Sequence, residues 1–464
     1  MSRPRDGIQR SSLFFEIAVS ICRNGRPTAE LCLVLLFAAL TSLGCRKATT
    51  TPRSEDVSKS AAVTPKPVAA AKDSPAAIEA LSDAGFLFTK NSDGVVTEFS
   101  VASQSDISGA LTHLAGLPNV QVATFTGPGI TDKGMQAIAE LSSLKRLDLT
   151  DTAIGSETLK AAGKIVTLEV LRLRRTGVSD ADLAALASLP RLRALDLRNT
   201  NISDPGMVHV AKIKTLADLQ LEKSKVTDTG LAHLKDLPLK SLNVNYTTVG
   251  DESMPMIGAM KTLESIQMDA SKLSDKGMPE VGGLTNLMRF RIHYCDVTGE
   301  GIKHLAGLKK LARLELRGTS VDDAGLEVIG NLPAVTYVDL AECQLPSPQG
   351  MAKLGALKNA TYLGFWETKF DDESMAALKG LPKLQELDLK ATAITDEAIP
   401  SILTLPELQR LTLSATQVTD EGFRQLSQLP KLKSLHVANT QIGYDVIEEL
   451  QKAKPGLEVI DYEQ

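Results

Sequence analysis

A pair of apolar residues, two positions apart, returns along this chain at a nearly fixed interval, and no other feature constrains the fold as tightly. Leu147/Leu149 recurs as Leu171/Leu173, Leu195/Leu197, Leu219/Leu221, Leu242/Val244, Ile266/Met268 and Phe290/Ile292. The series continues through Leu314/Leu316, Val338/Leu340, Leu363/Phe365, Leu387/Leu389, Leu411/Leu413 and Leu435/Val437. Phe99/Val101 and Ala123/Phe125 fit the same frame upstream, and Ile460 is expected to open a last partial unit. The step is 24 residues, apart from one of 23 before Leu242 and one of 25 across Pro346-Ser347-Pro348. A period of this length marks one stacked unit repeated, so the several globular domains that 464 residues would otherwise suggest do not follow.

Each unit has the same parts, each with a physical role. Apolar residues two apart point to one side of a short strand, toward a core. Five residues past the first comes a small polar slot, as in Thr152, Thr176, Thr200 and Thr247, filled by Cys295 and Cys343 in two units. A hydroxyl there is expected to bond backbone that would otherwise be buried unpaired at the bend. A buried aliphatic follows, such as Ile154 or Val178. Next stands an acid suited to cap a helix: Asp132, Asp180, Asp204, Asp228, Asp251, Asp275, Asp323, Asp372, Asp396 or Asp420. A short amphipathic helix comes after it, as in Gly230-Leu231-Ala232-His233-Leu234, and prolines such as Pro190 and Pro238 end helices before the next strand.

This pattern, with its Thr-x-Ile-Thr-Asp-x-x-Leu variant, resembles the leucine-rich-repeat family, in particular the internalin-like and ribonuclease-inhibitor-like repeats of bacterial surface proteins. The resemblance implies an α/β horseshoe solenoid with a concave parallel β-sheet and convex short helices. It also implies binding on the concave face. No unit buries its apolar edge alone, so such an array folds by stacking. The repeats are expected over 99–443. Residues 75–98, with a helix from Pro75 and a hairpin around Asn91-Ser92-Asp93-Gly94, are expected to cap the N-terminal end. Residues 444–464 are expected to cap the other end.

Residues 1–44 are read as a signal peptide. Five arginines precede an apolar run from Leu31 to Leu43, too short for the ~20 residues of a comfortable membrane span. The exit Ser42-Leu43-Gly44-Cys45 resembles the bacterial lipobox, with Ser42 and Leu43 in the reverse of the usual order. That resemblance makes Cys45 the lipidation site and places the protein in the cell envelope, anchored by lipid at the outer membrane or in the periplasm. An ordinary secretory signal fits the same residues. Residues 45–74 are rich in Thr, Pro, Ala and Lys, with almost no large apolar side chain, and read as a disordered tether.

Of the formal net charge of −5, residues 1–44 carry +2 and 45–74 carry +3, which leaves −10 for the body. An acidic body argues against a nucleic-acid partner, since phosphate binding needs clustered Lys and Arg. No phosphate loop, nucleophile elbow or paired-histidine signature is present, so neither an enzyme nor a cofactor or metal is expected. His113, His209, His233 and His304 recur at equivalent helix positions on the convex side. Cys295 and Cys343 lie two units apart, ~10 Å at the ~4.8 Å strand spacing, beyond disulfide reach. They are expected to be buried free thiols.

What remains is the outward strand positions. Tyr246, Tyr294, Tyr337, Tyr362 and Trp366 collect in the middle and later units, with Arg291, His293 and Arg317 beside them. Exposed Tyr, Trp and Arg supply large contact area at low entropy cost, the currency of binding hot spots. Sheet propensity also draws aromatics to strands. A second patch, Arg172, Arg174, Arg175 and Arg198, lies among Asp148, Asp151, Asp196 and Glu222, where neighbouring strands can pair charge with charge. The expected function is recognition of a protein or glycan on the concave face by a monomer held to the membrane through its N-terminal lipid. The alternatives are a structural spacer without a defined ligand, or an accessory subunit of an enzyme complex.

Overall fold

The computed structural model describes residues 72–344 and 347–462. The leader, Cys45 and the tether up to residue 71 lie outside them. The described residues fall in one compact unit.

Three-residue strands stack in parallel at the interval read from the sequence. Leu147 lies opposite Leu171, Leu171 opposite Leu195, Phe290 opposite Leu314, Leu363 opposite Leu387 and Leu411 opposite Leu435. The 23- and 25-residue steps keep this register, because the odd residue is absorbed in the loops. The exception to parallel pairing is the first strand, Leu87–Lys90, which runs antiparallel to Val96–Ala102. The sheet is open. Short α and 3-10 helices connect the strands, as at Asp180–Leu186, Asp204–Val210 and Asp323–Gly330. Their apolar sides and the inward leucines form one continuous core running from Leu81 to Leu457. Each buried leucine contributes ~1.5–3 kcal/mol relative to exposure, and only the neighbouring units cover it.

The last strand, Glu458–Ile460, departs from expectation by one residue. Val459, not Ile460, lies opposite Leu435, so the 24-residue step holds to the end.

From Leu147 to Leu435 every unit leaves its strand through a left-handed residue. Asp151, Arg175, Asn199, Tyr246, Tyr294 and Glu342 have φ between 53° and 62°, and Gly318 fills the position in its unit at 67°. L-residues adopt this region at a cost, so neighbours must hold it in place. The polar slot that follows does so. The Thr152, Thr176 and Thr247 hydroxyls donate to the carbonyls of Leu149, Leu173 and Val244 at 2.6 Å. Cys295 and Cys343 instead turn their sulfurs toward the preceding unit, 3.0 Å from the Met268 carbonyl and 3.1 Å from that of Leu316. Both are free and buried.

The recurrent acid does not cap its own helix. Asp204 is the first residue of a helix whose cap is Ser203, and Asp228 follows the cap Thr227. Its carboxylate reaches across to the cap of the next unit. Asp204 accepts from the Thr227 backbone N–H and hydroxyl, both at 2.7 Å. Asp251 does the same to Ser274 at 2.8 and 2.6 Å, and Asp372 to Thr395 at 2.9 and 2.7 Å. The glycine two residues past many of these acids is explained by the same ladder. A methyl group on Gly206, Gly277 or Gly422 would meet the Asp180, Asp251 or Asp396 carboxylate. Gly299 and Pro348 stand where two of the acids would be. In both cases the next cap is itself an aspartate, Asp322 or Asp371, bonded to its own helix at Gly325 or Ser374. Two carboxylates therefore never meet at this joint, as their repulsion requires.

Candidate functional site

The strand face from Tyr246 to Lys390 is built by register. Successive strands align their outward residues in columns, so Arg289 lies opposite Arg313, Arg291 opposite Glu315 and Tyr337 opposite Tyr362. Like charges directly opposite are unfavourable unless a counter-charge intervenes. Glu315 intervenes. It is almost fully buried and accepts from Arg289 Nε at 3.1 Å and Arg313 Nε at 2.7 Å. Burial pushes its carboxyl up, but the Arg313 hydrogen bond and the charges of Arg289, Arg313 and Arg291 outweigh that and hold it below the ordinary glutamate value.

Asp269 anchors the neighbouring group and is completely buried. It accepts from the His293 backbone N–H at 3.0 Å, and Arg291 Nη2 lies 2.6 Å from its other oxygen, close but not aligned as a hydrogen bond. Burial raises its carboxyl pKa. His293 packs against it, with Nδ1 3.7 Å from Asp269 Oδ2, and its Nε2 is buried without a hydrogen-bond partner. Burial, reinforced by the charge of Arg291, depresses the imidazole from 6.5 to about 4. His293 is thus a neutral, covered residue at neutral pH rather than an accessible contact.

The aromatic residues are tied to cations. Arg313 stacks on Tyr337 at 3.5 Å, and Tyr337 stacks on Tyr362 with centroids 4.0 Å apart and planes within 5°. Arg317 lies 3.9 Å over the Trp366 ring, with the Lys390 ammonium 5.5 Å from the same ring. Arg317 Nε also donates to Glu342 at 2.8 Å, and the Tyr294 hydroxyl donates to Glu342 at 3.0 Å. Tyr294 leans over Gly318, where a methyl group would collide with its ring. Tyr246, with Lys223 over its ring at 5.0 Å, stands free of this group. Tyr246 and Tyr294 are each 47% exposed, while Tyr337, Tyr362 and Trp366 are half-buried.

The structure therefore gathers Arg291, His293, Tyr294, Arg317, Tyr337, Tyr362 and Trp366 on one stretch of sheet, with Tyr246 at its margin. Sequence reasoning missed Asp269, Arg289, Arg313, Glu315 and Glu342. The signal was present for four of them: Asp269, Arg289, Arg313 and Glu315 are charged residues at outward positions of adjacent units, whereas Glu342 sits in a left-handed bend. The early patch resolves into pairs. Arg172 meets Asp148 at 3.2 Å, Arg198 meets Asp196 at 2.7 Å, and Arg175 forks onto Asp151 with both nitrogens. Arg174 shares that face. Among the described residues no group of three or more His, Cys, Asp or Glu gathers as a metal site.

Known proteins give a consistent account of this architecture. Residues 189–211 match the family model described as Leucine Rich repeat. That segment is one turn of an array whose strands, helices and left-handed bends repeat in register on either side. The chain has the leucine-rich-repeat fold. Its solenoid resembles a leucine-rich-repeat protein of Leptospira interrogans (19% identity, TM-score 0.51, 78% of this chain and 100% of that one). It also resembles the TLR13 chain of a TLR13–ssRNA13 complex (20% identity, TM-score 0.50, 75% of this chain and 57% of that one). An internalin from Listeria monocytogenes aligns at 20% identity and TM-score 0.48 over 84% of this chain and 96% of its own. No curated protein sequence matches. At these identities the shared property is the leucine-rich-repeat fold, and the function must be argued from the site.

Proposed function

We propose that this chain is a non-catalytic recognition module of the cell envelope, binding a protein or glycan partner on its concave strand face. The carrying observation is the pair Tyr246 and Tyr294. Both hold large apolar rings at 47% exposure from left-handed backbone positions, where a bulky residue adds cost and no core packing. Costly backbone supporting exposed aromatic area suits contact with another molecule. The cation–π pairs of Arg313 and Arg317 beside them pre-order the surrounding side chains and lower the entropy lost on binding. The leader supports an envelope location through a lipid on Cys45, and no described helix is long and apolar enough to cross a membrane.

The test is capture from a cell-envelope extract by the full chain, compared with its Tyr294→Ala/Trp366→Ala variant. Neither side chain is in the core, so the variant is expected to keep the wild-type circular dichroism and lose the captured partner. A folded variant that captures the same partner at the same level refutes the reading and leaves a spacer. The internal pairing of the early arginines supports a structural role for that part of the array.

A further inference from the structure

We propose that Arg289, Arg291, Arg313 and Arg317 form a pre-organised guanidinium platform that receives the carboxylates of an acidic segment of a partner protein. This rests on the recognition reading above and specifies its ligand chemistry.

Arg289, Arg291 and Arg313 lie on two adjacent strands in register, and Arg317 stands two residues past the end of the second. Each is held by a counter-charge. Arg289 and Arg313 share Glu315, Arg291 meets Asp269, and Arg317 meets Glu342 and lies over the Trp366 ring. The layering is asymmetric. The Glu315 and Asp269 side chains are 5% and 0% exposed, whereas those of Arg289, Arg291, Arg313 and Arg317 are 27%, 29%, 37% and 25% exposed. A ligand approaching the face thus meets guanidinium N–H groups, with two of the three counter-charges beneath them. These four cations face three partner carboxylates, and Asp339, opposite Glu315 on the next strand, adds a fourth acid near Arg317. The same side chains bear on His293, whose neutral form is favoured first by burial and then by Arg291, against Glu315, with Arg317 and Arg289 adding to it.

Stability does not account for this arrangement. Buried ion pairs gain little net free energy over apolar residues of similar size, because desolvation offsets the Coulomb attraction. Fixing a fork of donors in place does favour a planar acceptor, since a carboxylate takes two parallel N–H bonds from one guanidinium. The surroundings select among anions. Asp339, Glu367, Glu386 and Asp388 lie on the next strands and turns and repel anions on that side, which confines an acidic ligand to a short segment over the arginines. The half-exposed rings of Tyr294, Tyr337 and Trp366 border the platform and offer apolar contact to a polypeptide, which a bare phosphate does not use.

Trp366 is the only tryptophan of the chain, so its emission reports directly on Arg317. The full chain is titrated with a capped tetraglutamate peptide, with the matching tetraglutamine and with tripolyphosphate. Tetraglutamate should give a saturable change that weakens as salt rises. Tetraglutamine should give none, and tripolyphosphate should bind more weakly than tetraglutamate. The Arg289→Gln/Arg313→Gln/Glu315→Gln variant removes the charges together and leaves no buried ion unpaired. It should bind tetraglutamate at least about tenfold more weakly, while Arg172→Gln, in the early patch, should bind as wild type. If the triple variant misfolds, Arg291→Lys/Arg317→Lys keeps the charge and loses the fork, and should weaken binding several-fold. The proposal is overturned by silence toward tetraglutamate, by an equal response to tetraglutamine, by tighter binding of tripolyphosphate, or by equal loss in Arg172→Gln. Envelope capture that depends on Tyr294 and Trp366 alongside a negative titration would remove this inference and leave the recognition reading standing.

Discussion

The joint between units offers a sharp energetic test at Asp180 and Gly206. Asp180 accepts from the Ser203 backbone N–H at 2.8 Å and from the Ser203 hydroxyl, in the unit that follows. Asp180→Ala strips both bonds. Hydrogen bonds to a charged acceptor contribute ~1.5–3 kcal/mol, so a loss of about 2 kcal/mol is expected for this part-buried pair. Gly206 is helical, and Ala would ordinarily gain up to ~1 kcal/mol there from helix propensity. Its new methyl group would instead sit 2.5 Å from Asp180 Oδ1, with Ile202 Cγ2 at 3.0 Å and Leu183 Cδ1 at 3.2 Å. Overpacking of this kind costs ~1–3 kcal/mol, which makes Gly206→Ala destabilising by about 1 kcal/mol net. In the double variant the carboxylate is gone, and only the ends of two flexible side chains remain near the methyl. The two losses should then fail to add, with a coupling of about 1–2 kcal/mol in favour of the double variant. Urea unfolding of the wild type and the three variants, followed by far-ultraviolet circular dichroism with a shared slope, measures each term. Additivity within ~0.5 kcal/mol, or stabilisation by Gly206→Ala alone, would refute the argument that the glycine makes room for the neighbouring unit's acid.

Two further outcomes follow from buried groups. His293 titrates near 4 in the folded protein and near 6.5 when unfolded, so below 6.5 the unfolded chain binds the extra proton. Its contribution is full above pH 6.5 and declines by about 3 kcal/mol as pH falls toward 4, so His293→Gln should flatten the pH dependence of the urea midpoint between pH 7 and 4.5; an identical slope counts against a buried imidazole. Burial also raises the thiol pKa of Cys295 and Cys343, so iodoacetamide with peptide mapping should leave both unlabelled in the native chain and modify both in urea, and native labelling of either would contradict its placement.

The amino-acid sequence by itself determined the repeat, the strand register and the inward face. Leu195 and Leu197 two residues apart, returning every 24, can all be buried only if successive strands stack in register, and the odd steps can only be taken up in loops. The Thr slot was equally legible, because its bond spans three residues of one chain segment. The joint between units was not. Asp204 stands beside its own helix start and one unit from Thr227, and sequence distance favours the wrong partner; stacking at the strand spacing brings the true one nearer. The candidate site followed the same division. Alternation along a strand placed Arg317 and Trp366 on the outward face, whereas Tyr294 shares the phase of the buried Phe290 and Ile292 and is turned out by the left-handed bend it occupies. It did not show that Glu315 and Asp269 would be buried on that face or that His293 would be covered. Those outcomes depend on where long arginine side chains lie over the neighbouring strand, and side chains 24 or more residues apart settle that only once the coil has closed around them.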